Sequence, residues 1–132
     1  MRIIAIIMTL LIVVTSTTFA ANLNKIENRI QLATEGYLIA LKSDNPGIRN
    51  SALQQLAVLK ARYPNYDLTK VEKQVKKLSH KDSELLIRIN ANITYRYLTN
   101  RELTDKINID NVDSKSFFKE LYGQVSNIEK VY

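Results

Sequence analysis

The sequence predicts an all-α protein of short stacked antiparallel helix pairs, about five helices following a signal peptide. Three observations carry this expectation. Gly occurs three times and Pro twice while Leu, Ile, Lys, Glu and Ala are plentiful, a balance that suits helices better than sheets. Apolar residues recur at steps of three and four along several stretches, the spacing of one helix face. The openings of two of those helices also match each other 39 positions apart.

The first twenty residues stand apart. Arg2 precedes an apolar run from Ile3 to Val14, broken only by Thr9, and small polar residues lead to Thr18-Phe19-Ala20. The run is too short to span a bilayer and reads as a secretory signal peptide cut after Ala20, with a retained anchor as the alternative. The expected domains are therefore 1–20, the signal peptide, and 21–132, a single helical-repeat domain of ordinary size. The expected location is periplasmic or secreted. No cysteine is present, so such a protein gains no disulfide, carries no lipid-attachment thiol and offers no thiolate for metal or catalysis.

In the first helix, from about Asn22 to Lys42, Leu23, Ile26, Ile30, Ala33, Tyr37 and Leu41 form one stripe. It ends at Ser43-Asp44-Asn45-Pro46-Gly47, because proline breaks the hydrogen-bond ladder and disfavours helical geometry just before it. Asp44 or Asn45 caps a second helix, with Pro46 near its first position and Ile48, Ala52, Leu56 and Leu59 facing inward. After Tyr63-Pro64, the Thr69-x-x-Glu72 spacing suggests a capping box, opening a third helix with Leu68, Val71, Val75 and Leu78 on its core face. The fourth starts after Asp82 or Ser83 and turns Leu86 or Ile87, Ala91, Tyr95 and Leu98 inward. A single helical turn is expected between Thr99 and Asp113. Asp113 or Ser114 then caps a last helix bearing Phe117, Phe118, Leu121, Val125 and Ile128.

Ile48, Arg49, Ala52 and Leu59 in the second helix match Ile87, Arg88, Ala91 and Leu98 in the fourth. A period near forty with a helix pair per period is the signature of an α-solenoid, in which no pair buries its apolar face alone. The segment ALKSDNPGIRNSAL resembles the HEAT-repeat family, in which an Asp or Asn turn is followed by an apolar-Arg-x-x-Ala opening. The resemblance covers Tyr37 to Leu59 well and Leu78 to Leu98 less well, and implies an α–α superhelix. It also implies structural roles: Asp44 capping, Arg49 bonding within or between turns, Ala52 admitting a close helix crossing, and Asp82 or Ser83, Arg88 and Ala91 repeating them. The second copy lacks the Pro-Gly turn, and a third would place Lys130 where the pattern has Ala. ALQQLAVLKARYPN looks like half of a tetratricopeptide unit, but that period of about 34 residues does not fit 39. A plain helical bundle is the third architecture.

Catalytic signals are weak. His80 is the lone histidine; with only Asp82 and Glu84 nearby it makes no metal set and suits a helix C-terminus, where the dipole favours positive charge. Ser43, Ser51 and Ser79 have no base or nucleophile motif beside them. Asp110 and Asp113 with Asn111 do not continue into an EF-hand. Asn92-Ile93-Thr94 matches a glycosylation sequon inside a helix. No cofactor and no metal are expected, and the reading is non-enzymatic.

Charge is more informative. Once the first twenty residues are set aside, 18 basic and 13 acidic residues give +5, and all of it lies between Lys60 and Lys81, where seven basic residues face Asp67 and Glu72. Lys70, Lys73, Lys76 and Lys77 fall opposite the core stripe of the third helix. They read either as a solvated face or as a patch for an anionic lipid, glycan or acidic protein surface. Nucleic acid is disfavoured, because no aromatic stacking platform interleaves the lysines. Tyr63 and Tyr66 flank Pro64 beside that helix and complete the expected binding surface. The expectation is an exported, non-catalytic module binding another envelope or extracellular protein through the face formed by its second and fourth helices or their connecting turns. The alternative is a binder of anionic envelope lipid or polysaccharide through the lysine face.

Overall fold

The computed structural model describes residues 2–107 and 113–129, with side chains described for 21–107 and 113–127. Its elements are α1 (Arg2–Ala40), α2 (Pro46–Arg62), α3 (Thr69–Lys81), α4 (Leu85–Thr99), α5 (Arg101–Lys106) and α6 (Ser114–Glu129). The protein is all-α, with no strand among the described residues. It divides into two compact units, Met1–Ala33 and Thr34–Tyr132.

The first unit is the helical run that opens α1. The sequence places this helix's start at about Asn22, yet it is helical from Arg2, because no Gly or Pro interrupts the chain before Gly36. Leu23 and Ile26, expected on the inward stripe, are 50% and 44% exposed, whereas Ile30 is buried. Periodicity selects a face but does not supply a partner for it. Among the described residues no helix is long and apolar enough to cross a membrane.

In the second unit α2 and α4 form the middle layer. One core joins Leu41 to Ala52, Leu53 and Leu56 of α2, to Val71, Val75 and Leu78 of α3, and to Ile87, Ala91 and Leu98 of α4. A second core lies on the other side, where Ala57 and Val58 of α2 and Ile93 and Tyr97 of α4 meet Leu103, Ile107, Phe117, Phe118, Leu121 and Val125. Asn90 Nδ2 donates to Asn50 Oδ1 at 2.6 Å, and Thr94 Oγ1 to the Leu53 carbonyl at 3.4 Å. Both contacts advance in the same direction along the two helices, so α2 and α4 run parallel. The three residues between α3 and α4 fold each back on the other as an antiparallel pair.

Several local expectations need correction. Ile48 and Leu86 are 47% and 61% exposed instead of inward; on α4 the inward position belongs to Ile87. Of the two expected caps of α2, Asn45 is the one that forms, accepting from the Gly47 N–H at 2.8 Å. The capping box at Thr69 does not form. Leu68 is the cap, without a side-chain bond, and the Asp67 carboxylate accepts both the N–H and the hydroxyl of Thr69 at 2.9 and 2.6 Å. Those bonds hold the Asp67 carboxyl below its usual pKa. Glu84, not Asp82 or Ser83, is the α4 cap residue, and its own side chain makes no cap bond. Asp113 does close the first turn of α6, accepting from the Lys115 and Ser116 N–H groups at 3.0 and 3.1 Å. Asp110, Asn111 and the side chain of Ile128 lie outside the described residues.

Tyr97 is fully buried, edge-on to Phe117 with ring centroids 5.7 Å apart, and its hydroxyl has no hydrogen-bond partner among the described residues. Burial disfavours the phenolate and pushes its pKa from 10.0 to about 12. The folded state then holds this proton more tightly than the unfolded state. Its contribution is complete below about pH 10 and is lost as pH rises towards about 12. Tyr97→Phe removes an unsatisfied group, so urea unfolding at neutral pH should show a change of no more than about 1 kcal/mol, in either direction. The variant should lose less stability than the parent between pH 10 and 12.

Candidate functional site

Two of the interhelix turns, α1–α2 and α3–α4, share one construction. In the first, Ser43 Oγ accepts from the Asn45 N–H at 3.2 Å, and Arg49, in the first turn of α2, reaches back so that Nη1 donates to the carbonyls of Ser43 and Asp44 at 2.7 and 3.1 Å. In the second, Asp82 Oδ1 accepts from the Glu84 N–H at 3.0 Å, and Arg88 Nη1 donates to the carbonyls of Asp82 and Ser83 at 2.7 and 3.1 Å. Each group in the second turn stands 39 positions after its counterpart in the first. The two turns are copies in geometry, although in sequence they share only the Ile-Arg that follows each.

The turns are also joined. The other edge of the Arg49 guanidinium meets the Asp82 carboxylate, with Nη2 donating to Oδ1 at 3.0 Å and Nε lying 2.9 Å from Oδ2. The second approach is close enough for an ion pair but is misaligned for a hydrogen bond. The side chains are 10% and 4% exposed, so the pair is well shielded from water. Ala52 and Ala91 are both buried, at 3% and 0%, where their small side chains permit close packing. Asp44 is exposed, and the structure shows its carbonyl, not its carboxylate, engaged by Arg49.

The expected binding surface lies elsewhere on the second unit. Tyr63 is 38% exposed, whereas Tyr66 is half-buried and packs against the first core. Lys70, Lys73, Lys76 and Lys77 are all exposed on α3, opposite the buried Val71, Val75 and Leu78. Lys76 is partly committed, its Nζ standing 5.5 Å from the centroid of the Tyr95 ring, within reach of a cation–π attraction. Lys77 and Lys81 reach an open groove of about 450 Å³ that Lys42, Arg49 and Ser83 also line. A second groove, of about 360 Å³, holds Pro64, Asn65 and Lys60 against Leu98 and Arg101. Tyr63 and Tyr66 line neither groove.

The remaining candidates are tied up locally. His80 is exposed at the end of α3 with Nδ1 2.9 Å from Ser79 Oγ and 2.8 Å from the Lys76 carbonyl. Asn92 is exposed, but Thr94 of the same sequon is fully buried against α2. Among the described residues no group of three or more His, Cys, Asp or Glu could hold a metal ion.

The resemblance implies that Arg49 bonds within or between turns, and the structure shows both; sequence reasoning did not name Asp82 as its partner or reach the Asn50–Asn90 bond. Their signal was available: Asp82 precedes Arg88 by the six positions that separate Ser43 from Arg49, so one carboxylate stands at the point where two turns would be joined. Nor did it reach the apolar surface at the start of α4, where Leu85, Leu86 and Ile89 are 62%, 61% and 39% exposed. No family model, curated protein or solved structure matches the chain.

The two arginines share one set of carbonyl bonds but differ in having a buried carboxylate partner, so their deletion should not be equivalent. Arg49→Ala strands the shielded Asp82 carboxylate and should cost about 3–5 kcal/mol. Arg88→Ala removes hydrogen bonds that water can replace and should cost about 1 kcal/mol. Urea unfolding followed by circular dichroism measures both. Equal losses would mean that the Asp82 pair adds nothing.

Proposed function

We propose that this chain is an exported, non-catalytic helical-repeat module that binds another protein of the cell envelope or extracellular space. The observation that supports the reading is the duplication of the braced turn at Arg49 and Arg88, with the same donors, acceptors and distances. Duplicated helix–turn–helix units that share a core are what repeat proteins use to hold an extended surface rigid, and the resemblance to HEAT repeats points the same way. The surface offered to the partner runs from Tyr63 to Lys77, a stretch that carries an exposed aromatic ring and the exposed Lys70, Lys73 and Lys77.

A second reading rests on those lysines alone. The net positive charge outside the first twenty residues is concentrated between Lys60 and Lys81, and a polyanion such as an acidic lipid surface or polysaccharide would answer to it without any aromatic contact.

The experiment that separates them is capture of envelope proteins on the immobilised chain, beside sedimentation with vesicles containing anionic lipid, each at low and at high salt. Protein binding through this surface should survive high salt and fall about tenfold or more on Tyr63→Ala. Polyanion binding should fall steeply with ionic strength and vanish for Lys73→Glu with Lys77→Glu, while Tyr63→Ala leaves it unchanged. A partner retained by both altered proteins would exclude this surface.

A further inference from the structure

The groove that Arg49 and Asp82 help to line has a one-sided charge. It is open, about 450 Å³ in volume, and lies between the two braced turns and the later half of α3. Sites for small ligands run to roughly 300–1,000 Å³, so its size suits one. Asp82 is the one carboxylate among the described residues that lines it, and Arg49 already holds that carboxylate. Lys42, Lys77 and Lys81 also line the groove. All three are exposed, and none forms an ion pair with a described residue. Asp44 and Glu84 belong to the adjoining turns but line no part of it. Arg49 and Asp82 cancel, and the three lysine charges remain.

These lysines are not one helix's solvated face. Lys77 and Lys81 stand four positions apart on α3, where like charges repel, while Lys42 joins them from just past the end of α1. Lys42 and Lys81 occupy helix C-termini, where the dipole favours a cation, and the fold can therefore hold like charges in one groove. The neutral lining adds donors. Ser43, Ser83 and Gln74 bring two hydroxyls and an amide, and Ser43 Oγ accepts from the Asn45 N–H, so its own proton remains to be donated.

We propose that this groove binds the phosphomonoester group of a ligand. At neutral pH that group carries about two negative charges and offers three strong acceptor oxygens, which answers to three ammonium groups and the hydroxyls beside them. A carboxylate, with one charge and two oxygens, would leave most of these donors unused. The phosphomonoester occurs both on soluble metabolites and on the lipid phosphatidic acid, and the test separates the two sources. The inference is independent of the protein-binding reading above. It differs from the polyanion reading in resting on a discrete groove and on Lys42, which lies outside the lysine face of α3.

The test is titration of the isotope-labelled full chain with glycerol 3-phosphate, followed through its amide resonances, beside sodium chloride at matched ionic strength. Glycerol 3-phosphate should shift the amides of Ser43, Gln74 and Ser83 saturably, and sodium chloride should not. Lys42→Gln and Lys81→Gln should each weaken binding about tenfold, while Lys119→Gln, an equal change of charge on α6, should leave it unchanged. The three altered side chains are exposed, so the thermal transition should not move. Sedimentation with vesicles containing phosphatidic acid identifies the source. Pelleting that glycerol 3-phosphate displaces places the group on a lipid, whereas amide shifts without pelleting place it on a soluble ligand. The absence of a saturable shift, or the same shift with sodium chloride, would overturn the proposal. So would binding indifferent to Lys42→Gln, since the charge of α3 alone would then account for it.

Discussion

The ion pair between Arg49 and Asp82 is the constraint on which the second unit turns. A shielded guanidinium and carboxylate are costly to bring out of water, and the cost is met only where every strong donor and acceptor finds a partner. Here nearly all do. Nη1 serves the carbonyls of its own turn, Nη2 serves the carboxylate of the next, and that carboxylate also takes the Glu84 N–H. One side chain thereby fixes the conformation of the first turn and the position of the second. The parallel alignment of α2 and α4 follows, because the helices leave two turns that are locked at their starting points.

Once those starting points are fixed, the helices between them must be buried on two sides. α2 supplies Leu53 and Leu56 to one core and Ala57 and Val58 to the other, while α4 supplies Ile87 and Ala91 to one and Ile93 and Tyr97 to the other. Two of the buried polar side chains lie along the seam. Asn90 and Thr94 are buried there, bonded to Asn50 and to the Leu53 carbonyl, and a directional bond in an otherwise apolar interface disfavours sliding by one helical turn. The Tyr97 hydroxyl has no partner among the described residues and belongs to the second core, where shape, not hydrogen bonding, governs the packing.

How much of this the sequence disclosed depended on how many faces a helix buries. α3 packs on one side, and its four-residue stripe Leu68, Val71, Val75 and Leu78 was legible in full because every member is buried. The inward set read for α2 included Ile48 and omitted Leu53, Ala57 and Val58, since a helix buried on two sides has no single stripe to read. Capping was misjudged for a related reason. Thr69-x-x-Glu72 has the right letters, but Asp67 two residues earlier binds both the N–H and the hydroxyl of Thr69, and a carboxylate makes the stronger acceptor. For the candidate surface, the exposed lysines of α3 were legible from their position opposite the stripe. The exposure of Ile48 and Leu86 was not, because a stripe of apolar spacing does not disclose whether another element packs on it.

The comparison of the two turns shows how sequence repetition and energetic equivalence come apart. Arg49 and Arg88 hold their own turns with the same pairs of bonds, so local geometry is set by the six-residue reach from an arginine back to two carbonyls and needs nothing from neighbouring repeats. What differs is the partner beyond the turn. Arg49 meets a carboxylate because the next copy carries Asp82 where the first carries Ser43. One substitution between copies thus converts a self-contained turn into a link. Ser43 satisfies its own local N–H through its hydroxyl. Asp82 satisfies its local N–H and Arg49 together, which suits a turn that must be held to the one before. The divergence between the copies therefore makes one turn a link to the other, although the same pair of carbonyl bonds braces both.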